Sequence, residues 1–300
     1  MRATLIHLLL FASSLVPASP GAPRGDRAAE SSRRVPVGGW VDPGSGEKRD
    51  DVIAALAKHG IVLLGESHAE AEHHRWQLHT IAALFSHRPD MVLGFEMFPR
   101  RVQPVLDRWS IGELDETTFL REVDWPQVWG FASELYLPLF HFARMHRLPM
   151  RALNVDRATN RRVAAQGLAA VPRSEREGVG DPAPASAAYR DRLFAWFKQH
   201  PAAGGDARAE GERFERFIGA QLLWDRAMAE AIAGARRNGH PLVVGIMGRG
   251  HVEYGDGVPA QLAALGVDDV ATALPWRADV DCPADHRPIA DVLFGVAPAA

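Results

Sequence analysis

The sequence predicts an α/β fold: a largely parallel central β-sheet flanked by helices, with an additional helical subdomain or insertion. Two observations carry this expectation. First, three apolar runs rich in β-branched residues end abruptly on glycine and then on residues that exchange protons or bind metal. These are Ile61-Val62-Leu63-Leu64-Gly65-Glu66-Ser67-His68, Met91-Val92-Leu93-Gly94-Phe95-Glu96, and Leu242-Val243-Val244-Gly245-Ile246-Met247-Gly248-Arg249-Gly250-His251. Continuous apolar runs of this length read as strands buried on both faces, with chemistry delivered at their carboxyl ends. Second, segments with helical apolar spacing alternate with these runs, as a parallel sheet with crossover helices requires.

Taken in order, Leu5–Val16 is mostly apolar behind Arg2, and Val16-Pro17-Ala18 offers a small-residue cleavage site. Residues 1–18 therefore read as a secretory signal peptide, too short to span a membrane. Residues 19–45 are rich in Pro, Gly, Ser, Arg and Ala without periodicity and read as a disordered leader. One α/β domain is expected over 46–300. Within it Asp50–Lys58 is a short helix, His74, Leu78, Ile81 and Phe85 share one helical face, and Pro89 closes that unit. Further helices are expected around Val102–Trp109, from Leu114, and over Glu134–Met145, followed by a short strand at Leu148–Asn154. Residues 171–206 are a loop-rich insertion that also carries the helical spacing of Tyr189–Phe197. The stripe Phe214, Phe217, Gln221, Trp224, Met228 and Ile232 marks a long helix ended by Asn238-Gly239, and Val267–Leu274 reads as the last strand.

With 300 residues, 47% of them apolar, the chain is long enough for one sizeable core. A formal net charge of −3 gives no electrostatic reason to expect nucleic acid as partner. Cys282 is the only cysteine, which excludes an intrachain disulfide and a cysteine-based zinc cage. Thirteen histidines, several clustered, keep haem and a divalent metal in view as cofactors.

The strand ends supply the candidate chemistry. Glu66 and His68 lie two apart, so on extended backbone their side chains point to the same side and either share a proton or a metal or cap the next helix. Glu96 is costly to bury unless paired, whether by site groups or by Arg100 or Arg249. The glycines around Arg249 and His251 allow a sharp bend and close approach of a ligand. Arg249 is a candidate to hold a carboxylate in bidentate fashion. The catalytic candidates are thus Glu66, His68, Glu96, Arg249 and His251, and the metal candidates are Glu66, His68 and His251. His74, near the start of the first long helix with His73, is a cofactor-binding candidate, whereas His79 reads as solvated. Tyr254 offers a phenol that is either structural or an iron ligand. Trp125, Trp129, Phe131 and Tyr136 either line an apolar pocket for a flat ligand or pack the core.

Together these motifs resemble the ChaN family, haem-binding lipoproteins related to the wider Tiki, TraB and erythromycin-esterase-like superfamily. The matching stretches are Leu64-Gly65-Glu66-Ser67-His68, His74 with Gln77, Gly94-Phe95-Glu96-Met97-Phe98 with Gln103, Trp125–Trp129, Tyr136-Leu137-Pro138, Ala152-Leu153-Asn154, Leu223-Trp224-Asp225 with Met228-Ala229, and Gly248–His251. They run in family order over residues 50–275; each alone is weak and the ordered set is specific. The resemblance implies an exported protein that binds haem or acquires iron. It further implies ligation through a tyrosine assisted by a histidine, pairing of two subunits as a homodimer around cofacial haems, and delivery to an outer-membrane uptake system. Tyr254 matches the tyrosine best. Related members use the Gly-Glu-x-His and Gly-x-x-His elements as hydrolytic sites, some metal-dependent, which keeps a Glu/His hydrolase as the alternative. The chain departs from the family in lacking a lipobox cysteine, so the expected form is soluble and periplasmic.

Overall fold

The structure, a computed structural model, describes residues 34–199, 207–239, 242–283 and 287–298. The expected signal peptide and most of the expected leader lie outside them. Eight strands form one sheet: β1 (Trp40–Val41), β2 (Lys48–Arg49), β3 (Ile61–Glu66), β4 (Val92–Pro99), β5 (Met150–Asn154), β6 (Val243–Gly248), β7 (Val270–Arg277) and β8 (Val292–Val296). Their order is β2-β1-β8-β7-β3-β6-β4-β5. All pairings from β8 to β5 are parallel; only the β1–β2 and β1–β8 pairs are antiparallel.

The apolar runs explain the centre of this sheet. Ile61, Val62, Leu63 and Leu64 are completely buried, because β3 has a paired strand on each edge and a packed layer on each face. Val62 and Leu64 face one core with Trp76, Leu84, Phe95 and Phe140; Ile61 and Leu63 face another with Met228, Ile232 and Leu262. Each such side chain contributes about 1.5–3 kcal/mol relative to exposure, as an upper estimate. The first core is covered by the Ala71–His87 and Leu137–Met145 helices, the second by the long Ala207–Arg237 helix. No helix among the described residues is long and apolar enough to cross a membrane.

Two expectations are corrected. The disordered leader does not hold for residues 34–45: Val35 is fully buried, Trp40 meets Phe294 edge-on at 4.9 Å, and β1 pairs with β8. The Asp42 carboxylate accepts the Gly44 and Ser45 N–H groups to make the turn into β2. The last strand is β8, not β7, and β7 runs three residues beyond Leu274. Within 171–206 the expected helix is present as Ala187–Lys198.

What positions the site is the strand order. β6 lies between β3 and β4, so Glu66 stands beside Gly248, and Glu96 is carried by the strand on the other side of that glycine.

Candidate functional site

Alternation along the strands sends the two carboxylates to opposite faces. Glu66 follows Val62 and Leu64 toward the first core, while Glu96 points away from its neighbours Phe95 and Met97 toward the second. Each carboxylate is only 1% exposed, so each needs partners to remain charged.

On the first face Glu66 is the hub. Its Oε1 lies 2.7 Å from His68 Nδ1 and accepts the Tyr136 hydroxyl at 2.8 Å. Its Oε2 lies 2.8 Å from His74 Nδ1, a charge contact whose angle misses hydrogen-bond geometry. His74 Nε2 reaches the His68 carbonyl at 3.1 Å. Burial alone would raise the Glu66 pKa, but the His74 charge and the His68 hydrogen bond override it and hold the carboxyl well below its usual range. Burial likewise opposes charge on His74, and Glu66 outweighs it and raises that pKa. His73 behaves oppositely. Burial, then the charge of Arg249, lower it to about 3, and as a neutral ring it accepts the Ser67 N–H at 2.9 Å.

On the second face the hub is an imidazole. His251 Nδ1 lies 2.5 Å from Asp225 Oδ1, with the Gln221 amide 3.1 Å from the same nitrogen, and Nε2 lies 3.4 Å from Glu96 Oε1. The Tyr189 hydroxyl donates to Asp225 Oδ2 at 2.9 Å, and the Gly248 N–H donates to Glu96 Oε2 at 2.6 Å. Burial disfavours the imidazolium, yet Glu96 and Asp225 together raise His251 to about 10. Burial would raise Glu96, but His251, His68 and the Gly248 N–H bring it down. Asp225 is raised, mainly by burial.

The two faces meet at Gly248. A Cβ there would stand 2.9 Å from His68 Cε1, 3.1 Å from His68 Nε2 and 3.6 Å from Glu96 Oε2, so glycine is what lets the His68 ring cross the end of β6. Trp129 and Phe131 close over His68 with ring centroids at 4.7 and 5.1 Å. Part of the expected aromatic pocket is therefore packing for this imidazole. Glu96 lines a cleft of about 140 Å³, together with Trp129, Asn154, Asn160 and Trp224.

The structure thus unites Glu66, His68, His74, Glu96 and His251 and places Arg249 and Tyr254 apart from that cluster. Arg249 pairs with Glu253 and lies over the Trp276 ring at 5.0 Å, so it does not hold Glu66 or Glu96. Tyr254 packs against the second core, whereas His74 belongs to the first-face cluster, so these two cofactor candidates are not side by side. Tyr254 itself is distinctive. It is a non-glycine residue at φ +61°, its N–H bonds Ile289 O at 2.8 Å, and the guanidinium groups of Arg192 and Arg287 lie 4.5 and 5.9 Å from its ring centre. Among the described residues, no three His, Cys, Asp or Glu side chains are disposed to hold a metal. Of the metal candidates, Glu66 and His68 engage each other, and His251 engages Asp225 and Glu96. His79 is exposed, as expected.

Asp225, Gln221 and Tyr189 join the site without having been site candidates in the sequence, and Tyr136, expected to line a pocket or pack the core, donates to Glu66. Gln221 and Asp225, one turn apart, are polar residues within the buried stripe of a long helix, and that conflict was the available signal.

Comparison with known proteins places this geometry in context. No curated protein matches the chain. Among solved structures it is similar to ChaN of Campylobacter jejuni, described with cofacial haem binding. That match has 16% identity, covers 85% of this chain and 95% of that one, and has a TM-score of 0.67. The type III effector HopBA1 is similar at 11% identity, covering 90% and 100%, with a TM-score of 0.50. A mutant of the erythromycin esterase EreC, in its open conformation, is 14% identical over 87% and 83%, with a TM-score of 0.47. At such identities the likeness is one of fold. The family described as haem-binding uptake, Tiki superfamily, ChaN, matches residues 52–262, from the first helix through the strand-end residues and Tyr254 to the helix beyond them. The chain belongs to that ChaN family of the Tiki superfamily.

Proposed function

We propose that this protein binds haem, with Tyr254 as the iron-ligand candidate, and serves haem or iron acquisition. The observation that carries the reading is the family match over residues 52–262. The surroundings of Tyr254 fit the role. Arg192 and Arg287, whose guanidinium groups also pair with the buried Asp256 carboxylate, lie beside the ring and would supply positive charge that favours a phenolate. The cleft at Glu96, about 140 Å³, is smaller than pockets that enclose drug-sized ligands, so a porphyrin would lie against the surface carrying Tyr254. A second copy of the chain would then cover its other side, as the cofacial binding described for the Campylobacter protein suggests. Bound haem would supply iron as cargo or cofactor; the chain would supply the phenol and the cationic frame. Export to the periplasm and transfer to an outer-membrane system belong to the same proposal, supported by the Leu5–Val16 apolar segment and the family description. The test is a haemin titration. A saturable shift of the Soret band, weakened by Tyr254→Phe, is expected; no Soret change refutes the reading.

One observation favours a second reading, a Glu/His hydrolase. Glu96, at the cleft, is joined through His251 to Asp225, a carboxylate–imidazole–carboxylate chain of the kind that moves protons. In that reading Glu96 takes a proton from water in the cleft while Glu66 and His68 hold the adjoining charge. Hydrolysis of a panel of chromogenic esters abolished by Glu96→Gln would support it, and an inactive wild type would remove it.

A further inference from the structure

The cleft beside Glu96 has features that neither haem binding nor the buried network uses. Its outer wall is the start of the Arg157–Gln166 helix. Asp156 sits at the N-cap but does not cap the helix, because its carboxylate turns to Arg101 at 2.8 Å. At this helix start, which carries the partial positive charge of the helix end, the Glu177 carboxylate accepts the Asp156 N–H at 2.8 Å and the Thr159 hydroxyl at 2.7 Å. Arg157 and Arg161, one turn apart, both line the cleft, and neither pairs with a carboxylate among the described residues. Arg157 donates to the Gln127 carbonyl at 3.0 Å, and Arg161 to the Arg157 carbonyl at 3.3 Å. Burial and the charge of Arg161 lower the Arg157 pKa, the mark of two cations held close without a counterion.

A second observation is independent of the helix end. Asn160 is 4% exposed and its Oδ1 has no partner, while the indole N–H of the buried Trp129 approaches the Tyr136 hydroxyl. The half-buried Trp224 leaves its indole nitrogen unpartnered. All three side chains line the same cleft. Buried polar atoms left unpaired are costly, and a bound molecule that pairs them recovers that cost. The carboxylates facing the cleft are Glu96 and Asp156. Both are already engaged, Glu96 by the Gly248 N–H and His251, Asp156 by Arg101.

We infer that this cleft is a binding site for a small organic oxyanion, a carboxylate or phosphate ester. Its charged end would meet Arg157, Arg161 and the helix start, and its polar body would meet Trp129, Asn160 and Trp224. Tyr254 is not among the residues that line this cleft of about 140 Å³, so the proposed site is distinct from the one proposed for haem.

Titration calorimetry with inorganic phosphate and with succinate tests this on the full chain and on R157Q/R161Q. The result expected is saturable binding of at least one probe, quenching or enhancing tryptophan fluorescence. The double variant should weaken it by about tenfold or more, the loss of ~1.4 kcal/mol in binding. Trp129→Phe, which keeps the arginines, should weaken the same probe several-fold and serves if the double variant does not fold. Binding of neither probe, or binding unchanged in these variants, overturns the inference. Loss of haemin binding in R157Q/R161Q also overturns it, since the arginines would then serve the porphyrin. Absence of haemin binding in the wild type leaves it standing.

Discussion

On one face of the sheet a single carboxylate, Glu66, serves two imidazoles and a phenol. On the other a single imidazole, His251, lies between two carboxylates, one of which takes a phenol. The parts are the same and the proportions are inverted. The first cluster holds one anion with surplus imidazole, and the second holds two carboxylates with one imidazole. Neither is balanced alone. Gly248 brings His68 of the first against Glu96 of the second, so the surplus base of one cluster stands beside the surplus acid of the other. A sheet edge with a side chain at residue 248 would separate two buried, unbalanced halves.

The largest effect expected from this contrast is at the first hub. Glu66→Ala removes the carboxylate that His68 and His74 share, and breaking a buried pair in this way costs about 3–5 kcal/mol. Asp225→Asn should cost less, because Glu96 remains for His251. Urea denaturation of both variants measures the two values, and equal losses would break the asymmetry.

The second expected effect is on pH dependence. His251 is raised from 6.5 to about 10, so its contribution is complete below about pH 6.5 and is lost as pH climbs toward 10. Glu66 is depressed, so its contribution is complete above about pH 4.5 and is lost in acid. His73, lowered to about 3, adds to the acid loss, because the unfolded ring takes up its proton from about 6.5 downward. These three groups place maximal stability near pH 6.5. Melting temperatures across pH 4–10 should show it, and His251→Gln should flatten the alkaline side while leaving the acid side in place.

Gly248→Ala comes next. Forcing a methyl to within 3.1 Å of the His68 ring should cost about 1–3 kcal/mol, as overpacking does, and shift the His68 resonances in NMR spectra. Effects of comparable size are expected at the phenols. Tyr136→Phe and Tyr189→Phe each delete one hydrogen bond to a buried carboxylate and should cost about 1.5–3 kcal/mol at most. Thermal melts resolve losses of that size, and a larger loss at Tyr189 than at Tyr136 would point to Asp225 as the more dependent carboxylate.

Much of this was legible in the chain. The four central strands announce themselves because each is apolar on both faces, and the chemistry at their ends follows from glycine beside Glu or His. The edge was not legible. β1 has two residues in a Pro- and Gly-rich stretch, and it is a strand only because β8, more than 250 positions later, offers it a partner. At the site, the strand-end residues and His74 were legible, whereas the residues of the long helix and Tyr189 were not. Asp225 lies in a stretch that matches the family and Gln221 in the apolar stripe, but neither shows its partner until the helix is seen packed against His251. Arg249 shows the converse. Its neighbours marked it as a site cation, but the backbone after β6 turns it onto Glu253 and Trp276.

The claim that most needs measurement is that haem binds at Tyr254, apart from the buried network. Haemin titrations of the wild type, Tyr254→Phe and Glu96→Gln, followed by Soret absorbance, address it directly. A saturable shift in the wild type that is weakened by about tenfold or more in Tyr254→Phe and kept in Glu96→Gln is the predicted result. No shift in the wild type, or a shift indifferent to Tyr254→Phe and lost in Glu96→Gln, would contradict it.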